Sequence, residues 1–134
     1  MKNRKSFFWI FFIFLTVILY YYKNIGNKSF KKHTKYTVAT VVSDFHYKKT
    51  NSSAGYDYIF KLNNKIYERG SSNGNFIKNR KYLLAYDSTN LRFLNLFNID
   101  ITDSLYKYPK NGWTLKEIPF KVDTVYIKKR INEL

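Results

Sequence analysis

Residues 7–22 read FFWIFFIFLTVILYYY, sixteen consecutive positions without a formal charge in a chain otherwise rich in lysine and asparagine. At about 1.5 Å of rise per residue, a helix over this run spans about 24 Å, slightly short of a hydrocarbon core of roughly 30 Å. The flanks supply the difference. Lys2, Arg4 and Lys5 precede the run and Lys23 follows it, while Trp9, Tyr20, Tyr21 and Tyr22 carry amphipathic rings suited to the headgroup level. Lys5 and Lys23 can snorkel outward. Thr16 carries a hydroxyl that can bond back to a carbonyl one turn earlier. The run therefore predicts one transmembrane helix over 7–22 behind a basic tail at 1–6.

A charged start followed by an apolar stretch is also the mark of a cleaved export signal. No small-x-small cleavage site stands at the end of the run, where the residues are Tyr20, Tyr21, Tyr22, Lys23 and Asn24. The expectation is an uncleaved signal-anchor. Three basic residues in the first six favour an N-terminus in the cytoplasm. Lys23, Lys28, Lys31, Lys32 and Lys35 argue the other way, but a following domain of this length can be exported regardless of charge. The domain is expected outside the cytoplasm, in a single-pass membrane protein. The absence of cysteine fits export without a disulfide framework and fits a reduced compartment equally well.

The net charge of +15 resembles that of a nucleic-acid or membrane-surface protein. Eight of the 24 basic residues lie at or before Lys35 and none of the nine acids does, which leaves residues 36–134 with only +7. Lysine outnumbers arginine 19 to 5, a poor balance for bidentate phosphate or base contacts. Residues 23–35, with NIGNKSFKKHTK over 24–35, show no sustained apolar period and predict a basic stalk, with His33 solvated on it. Its lysines would be attracted to anionic headgroups at about 1 kcal/mol each.

From Tyr36 onward short β-rich runs alternate with turn residues, predicting a small β domain over 36–134 with a barrel core at 36–97 and an irregular tail at 98–134. A long first strand spans 36–49 with a bend near Ser43-Asp44, and TNSSAG at 50–55 is a turn. Tyr56, Tyr58, Phe60 and Leu62 alternate with Asp57, Ile59 and Lys61, a two-residue period. Asn63-Asn64 suits a type I′ hairpin, whose central residues both need positive φ. Lys65 to Gly70 is the return strand, Ser71 to Asn75 a loop, Lys81 to Tyr86 a fourth strand and Leu91 to Leu96 a fifth. The fold class expected is mainly β: an antiparallel SH3-like or OB-like barrel behind one N-terminal helix, with a short C-terminal helix or strand. In the tail, PKNGW at 109–113 makes a turn with Trp113 as a packed lid, and Thr114 to Glu117 has capping-box spacing before a short helix stopped by Pro119. The β-branched Val122, Thr124, Val125 and Ile127 lean the last segment, 122–134, towards strand.

Three segments carry a family resemblance. Ala39-Thr-Val-Val-Ser43, Tyr58-Ile-Phe-Lys-Leu-Asn-Asn-Lys-Ile-Tyr67 and Lys81-Tyr-Leu-Leu-Ala-Tyr-Asp-Ser-Thr-Asn90 resemble the bacterial membrane-anchored small β-barrel domains of unknown function. Ala39, Asn64, Ser88 and Leu91 stand where that family has a glycine before its first valine pair, the glycine of an Asn-Gly hairpin and the prolines of Tyr-Asp-Pro-x-Asn-Pro. The resemblance implies a fold over about sixty residues and brings no catalytic residues.

Chemistry is sparse. Cysteine nucleophiles are excluded, and a serine triad would depend on His33 or His46. Asp44 and His46 share one face of a strand and could supply two metal ligands, while Asp100 and Asp103 in NIDITD could pair for acid–base work; a polar turn accounts for the latter pair better. Gly70 and Gly74 lack the GKS or GKT of a phosphate loop. Asp87-Ser88-Thr89, Asp103-Ser104-Leu105 and Asp123-Thr124-Val125 have the spacing of one bacterial O-glycosylation signal. No enzyme, cofactor or metal is expected. The expected function is a non-catalytic interaction or structural module of the cell envelope, with the lipid bilayer and an envelope protein or glycan as partners. The alternative is a basic barrel binding single-stranded nucleic acid on the cytoplasmic side, which needs Tyr56, Tyr58, Tyr82 and Tyr86 exposed for stacking.

Overall fold

A computed structural model describes residues 3–47, 54–104 and 107–134, and side chains from Phe7 onward within them. The chain is mainly antiparallel β, with a curled half-barrel sheet between a long apolar N-terminal helix and a short C-terminal one. Its elements are α1 (Asn3–His33), β1 (Thr34–Val41), β2 (His46–Tyr47), β3 (Ala54–Leu62), β4 (Lys65–Ser71), β5 (Lys81–Asp87), β6 (Leu94–Asp100) and α2 (Thr124–Asn132).

Helix α1 does not stop where the apolar run stops. It continues through Lys23 and the expected stalk to His33, about 16 Å further along its axis, and passes directly into β1. Thr16 Oγ1 donates to Ile13 O at 2.8 Å, so the hydroxyl inside the run is satisfied within the helix.

The sheet runs β4-β3-β1-β5-β6, and β2 resumes the line of β1 along β3 after a bend. That bend falls where Ser43-Asp44 suggested, and Ser43 Oγ accepts a hydrogen bond from Asp57 N at 2.8 Å to fix it. Residues 48–53, most of the expected TNSSAG turn, lie outside the described residues, and β3 begins at Ala54. Asn63 and Asn64 take φ of 48° and 63°, as the I′ hairpin requires, and seven consecutive pairs from Leu62↔Lys65 to Tyr56↔Ser71 zip β3 to β4. A register irregularity between Tyr82 and Leu84 on β5 adds twist at the β6 side. Among the described residues β4 pairs only with β3 and β6 only with β5, so the barrel is left open along one seam.

Both faces of the sheet are buried along much of β1 and β5, which is why β5 reads as a nearly continuous apolar run from Tyr82 to Tyr86 while β1 mixes Tyr36, Val38, Ala39 and Val41 with threonines. The concave face gathers Ala39, Val41, Tyr56, Tyr58, Phe60, Leu62, Tyr82, Leu84, Tyr86 and Leu96 with Phe76, whose ring is edge-on to Tyr56 and Tyr82. On the convex face Tyr36, Val38, Leu83, Ala85 and Phe97 are covered by Phe30 of α1, Ile127 and Ile131 of α2, and Trp113. The four tyrosines of the concave face are buried, as their alternation predicts, with several hydroxyls satisfied at the rim: Tyr86 Oη donates to Asn111 O at 3.0 Å and Tyr82 Oη accepts from Ile77 N at 2.9 Å. Burial pushes the phenols of Tyr36, Tyr58 and Tyr86 up to about 12, for Tyr58 against an opposing pull from Arg69.

Several expectations are corrected. The fifth strand is Leu94–Asp100 rather than 91–96, because Asp87 Oδ1 and Asn90 Oδ1 each accept an amide hydrogen two residues on and prolong the turn. Within residues 122–134 the chain forms helix α2 over Thr124–Asn132, the helix alternative and not the strand towards which the β-branched residues lean. Asp123 caps it by accepting from Tyr126 N at 2.9 Å, and Ile127 and Ile131, four apart, form its buried stripe. Glu117 does reach back to Thr114 N, at 2.7 Å, but closes a turn and not a helix. Trp113 is packed as expected, but on the convex face rather than as a lid on one barrel end, joined to Tyr36 by reciprocal 2.8 Å backbone hydrogen bonds and set edge-on to Phe120.

Candidate functional site

Two features stand out: the helix that leaves the domain, and the seam where the barrel fails to close. The large apolar side chains of residues 7–22 are exposed, apart from the half-exposed Ile18, and none of this apolar stretch of α1 is buried in the chain. The helix is long and apolar enough to cross a membrane. Trp9 and the Tyr20-Tyr21-Tyr22 cluster are exposed and mark levels about 16 Å apart along the axis. Lys23 is exposed just beyond them. Lys2 lies outside the described residues, and Arg4 and Lys5 fall in the first turns of α1.

The other end of α1 is built into the domain. Phe30 is 3% exposed within the convex core, and a Cβ at Gly26 would overlap the ring of Phe93, so only glycine lets the helix come this close to the β5–β6 connection. Ser29 Oγ donates to Asp87 Oδ2 at 2.7 Å, Lys31 Nζ donates to Asn132 O at 2.9 Å, and Asn27 Nδ2 donates to Leu134 O. His33 meets Ser29 Oγ at 3.4 Å and its carbonyl accepts from Ser88 N, so it belongs to the joint and not to a solvated stalk. Gly26, Ser29 or Phe30, and His33 recur three, four and seven apart on one helical face. That signal is present in the sequence, but it is made of a glycine, a serine and a histidine as much as of apolar residues.

Asp87 is the hub of this joint. Burial would raise its carboxyl, but the hydroxyls of Thr89 and Ser29 and the amides of Thr89 and Asn90 hold it below the ordinary 3.8.

At the seam, the C-terminal end of β4 and the following loop approach the open edge of β6. The cleft between them, about 260 Å³, is walled by Ser71, Ser72, Asn73, Asn95, Asn98, Tyr58, Tyr126 and Arg130 among others. It is mainly polar and contains no Asp, Glu or His. The Nδ2 of Asn95 is buried without a hydrogen-bond partner among the described residues. Sequence reasoning did not find the seam, because no single segment carries it.

The expected chemical pairs disperse. His46 Nε2 meets Asp57 Oδ2 at 3.2 Å, while the Asp44 carboxylate points to Lys78 at 3.9 Å, so Asp44 and His46 do not converge. Among the described residues no group of three His, Cys, Asp or Glu could hold a metal ion. Asp100 and Asp103 both clamp Arg80, Asp103 at 2.9 Å; burial raises the Asp100 carboxyl, but Thr102 and Arg80 draw it below its ordinary value. The spacing of the glycosylation-like triplets has local explanations: Asp87 folds the turn at Thr89, Asp123 caps α2 and Asp103 holds Arg80.

Comparison with protein-family models, with curated proteins and with solved structures finds no match for this chain.

Proposed function

We propose that the chain is a single-pass, membrane-anchored envelope protein whose β domain is a non-catalytic interaction module held outside the cytoplasm. One observation carries the reading: α1 is a single helix whose first part is apolar and exposed on the chain while its last turns are packed into the convex core. A flexible stalk would let a domain wander; a helix locked by Phe30, Gly26 and Ser29 fixes the domain's height and tilt relative to the bilayer. The surface so presented is the seam, whose open β6 edge and polar walls suit an extended peptide or a glycan. Elsewhere in the domain His46 with Asp57, Asp100 with Arg80 and Asp87 with Ser29 are held in structural pairs, which favours a binding role over acid–base chemistry. Nucleic acid is the weaker alternative, because Tyr56, Tyr58, Tyr82 and Tyr86 are buried and offer no stacking platform.

Alkaline carbonate extraction of membranes from cells expressing the full chain tests the anchor. The chain should stay in the pellet, and the double substitution Phe11→Lys with Phe14→Lys should release it, since each charge at mid-bilayer costs about 2.5–3.5 kcal/mol. Release of the unsubstituted chain would contradict the anchor. A photo-crosslinker at Asn98 should capture an envelope protein or glycan, with capture lost on Arg130→Ser; an inserted chain that forms no adduct from the seam would contradict the interaction role.

A further inference from the structure

A second cleft, about 360 Å³, lies at the joint between α1 and the domain and is walled by Lys23, Asn27, Arg92, Phe93, Glu133 and Leu134 together with Phe30 and Leu94. Its height is set by the sequence. Lys23 is the residue that ends the uncharged run, directly after Tyr22, so the cleft sits where the lipid phosphates begin if α1 spans the bilayer. The wall is amphiphilic, with the Phe93 ring and Leu134 beside two cations. Among the described residues neither Lys23 nor Arg92 has a carboxylate within salt-bridge distance, and the acid in the wall, Glu133, faces Lys129 at 4.0 Å and Arg130 at 3.6 Å.

We propose that this cleft is a binding notch for the headgroup of one anionic phospholipid, whose phosphodiester is held by Lys23 and Arg92 while its glycerol and first methylenes lie along Phe93 and Leu134. The inference rests on the membrane-anchored reading above and goes beyond it. General attraction between a basic flank and a bilayer needs no cleft and is shared by every lysine nearby. Here one cation comes from the helix and the other from the β5–β6 connection, so a lipid bound between them bridges anchor and domain and holds the joint in one geometry. Arginine presents a planar fork matched to phosphate oxygens, and the choice of Arg92 in a chain with only five arginines suits that role.

The test uses the full chain in nanodiscs of equal parts phosphatidylglycerol and phosphatidylcholine, released gently into a native mass spectrometer. The unsubstituted chain should retain one phospholipid, enriched in phosphatidylglycerol. Arg92→Gln and Lys23→Gln should each lower retention about fivefold, while Lys110→Gln, remote from the cleft, leaves it unchanged. Arg92 is exposed, and an unchanged melting transition of the variant separates lost binding from lost folding. Equal retention in Arg92→Gln and Lys110→Gln, or equal retention of both lipids, overturns the notch and leaves the anchor standing. Displacement of the lipid by millimolar inorganic phosphate would assign the site to free anions and overturn the lipid. Failure of the chain to enter nanodiscs at all overturns the anchored reading and the notch together.

Discussion

Ser29 Oγ, near the end of the long helix, donates a 2.7 Å hydrogen bond to Oδ2 of Asp87, the buried last residue of β5. The bond ties an element expected to be a loose stalk to the central part of the sheet. Ser29→Ala should destabilise the domain by about 1.5 kcal/mol or more, the usual worth of a hydrogen bond to a charged acceptor. The native Asp87 carboxyl lies below its ordinary 3.8, so its contribution is fully present above that value and is lost as pH falls through the lower native one. Acid titration of stability should show a loss below about pH 4 that is reduced in Asp87→Asn. Identical acid profiles for the two proteins would place the acid sensitivity elsewhere.

Phe30 makes the last turns of α1 part of the domain. Chains beginning at residue 24 should melt cooperatively with a β-type spectrum, whereas chains beginning at residue 36 lose Phe30 and Ser29 and should be strongly destabilised. Phe30→Ala alone should cost about 3–5 kcal/mol. Equal melting temperatures for the two truncations would restore the stalk.

The hairpin at Asn63-Asn64 depends on positive φ at both positions. Asn64→Gly should change stability by only a few tenths of a kcal/mol, and Asn64→Val should lower it by about 1–2 kcal/mol, as β-branched residues resist the left-handed region. Denaturant midpoints of the two variants measure the difference.

Thr37 is fully buried in β1, and its Oγ1 has no hydrogen-bond partner among the described residues. Thr37→Val keeps the shape and removes a desolvated hydroxyl, so it should raise stability by about 1 kcal/mol. A lower midpoint for Thr37→Val would mean that the hydroxyl is satisfied in solution.

What the sequence showed plainly was what a single segment can encode: the apolar run, the period of Tyr56 to Leu62, the Asn-Asn turn and the bend at Ser43-Asp44. What it hid was relational. The face of Gly26, Ser29 and His33 reads as a polar stalk until Phe93 and Asp87 are opposite it. The β-branched residues of 122–127 favour strand locally, and the cap at Asp123 with the burial of Ile127 and Ile131 overrides that preference. The seam joins residues more than twenty positions apart and the lipid notch residues more than sixty apart, beyond the reach of periodicity.

Orientation decides the account most directly, and the absence of cysteine makes it measurable with a single introduced probe. Ser88 is exposed on the domain, so Ser88→Cys places one thiol on the side of the membrane that the domain occupies. In intact spheroplasts a membrane-impermeant maleimide should label Ser88→Cys fully without lysis, with the chain resistant to carbonate extraction. Labelling only after the membrane is broken would put the domain in the cytoplasm and contradict the envelope module.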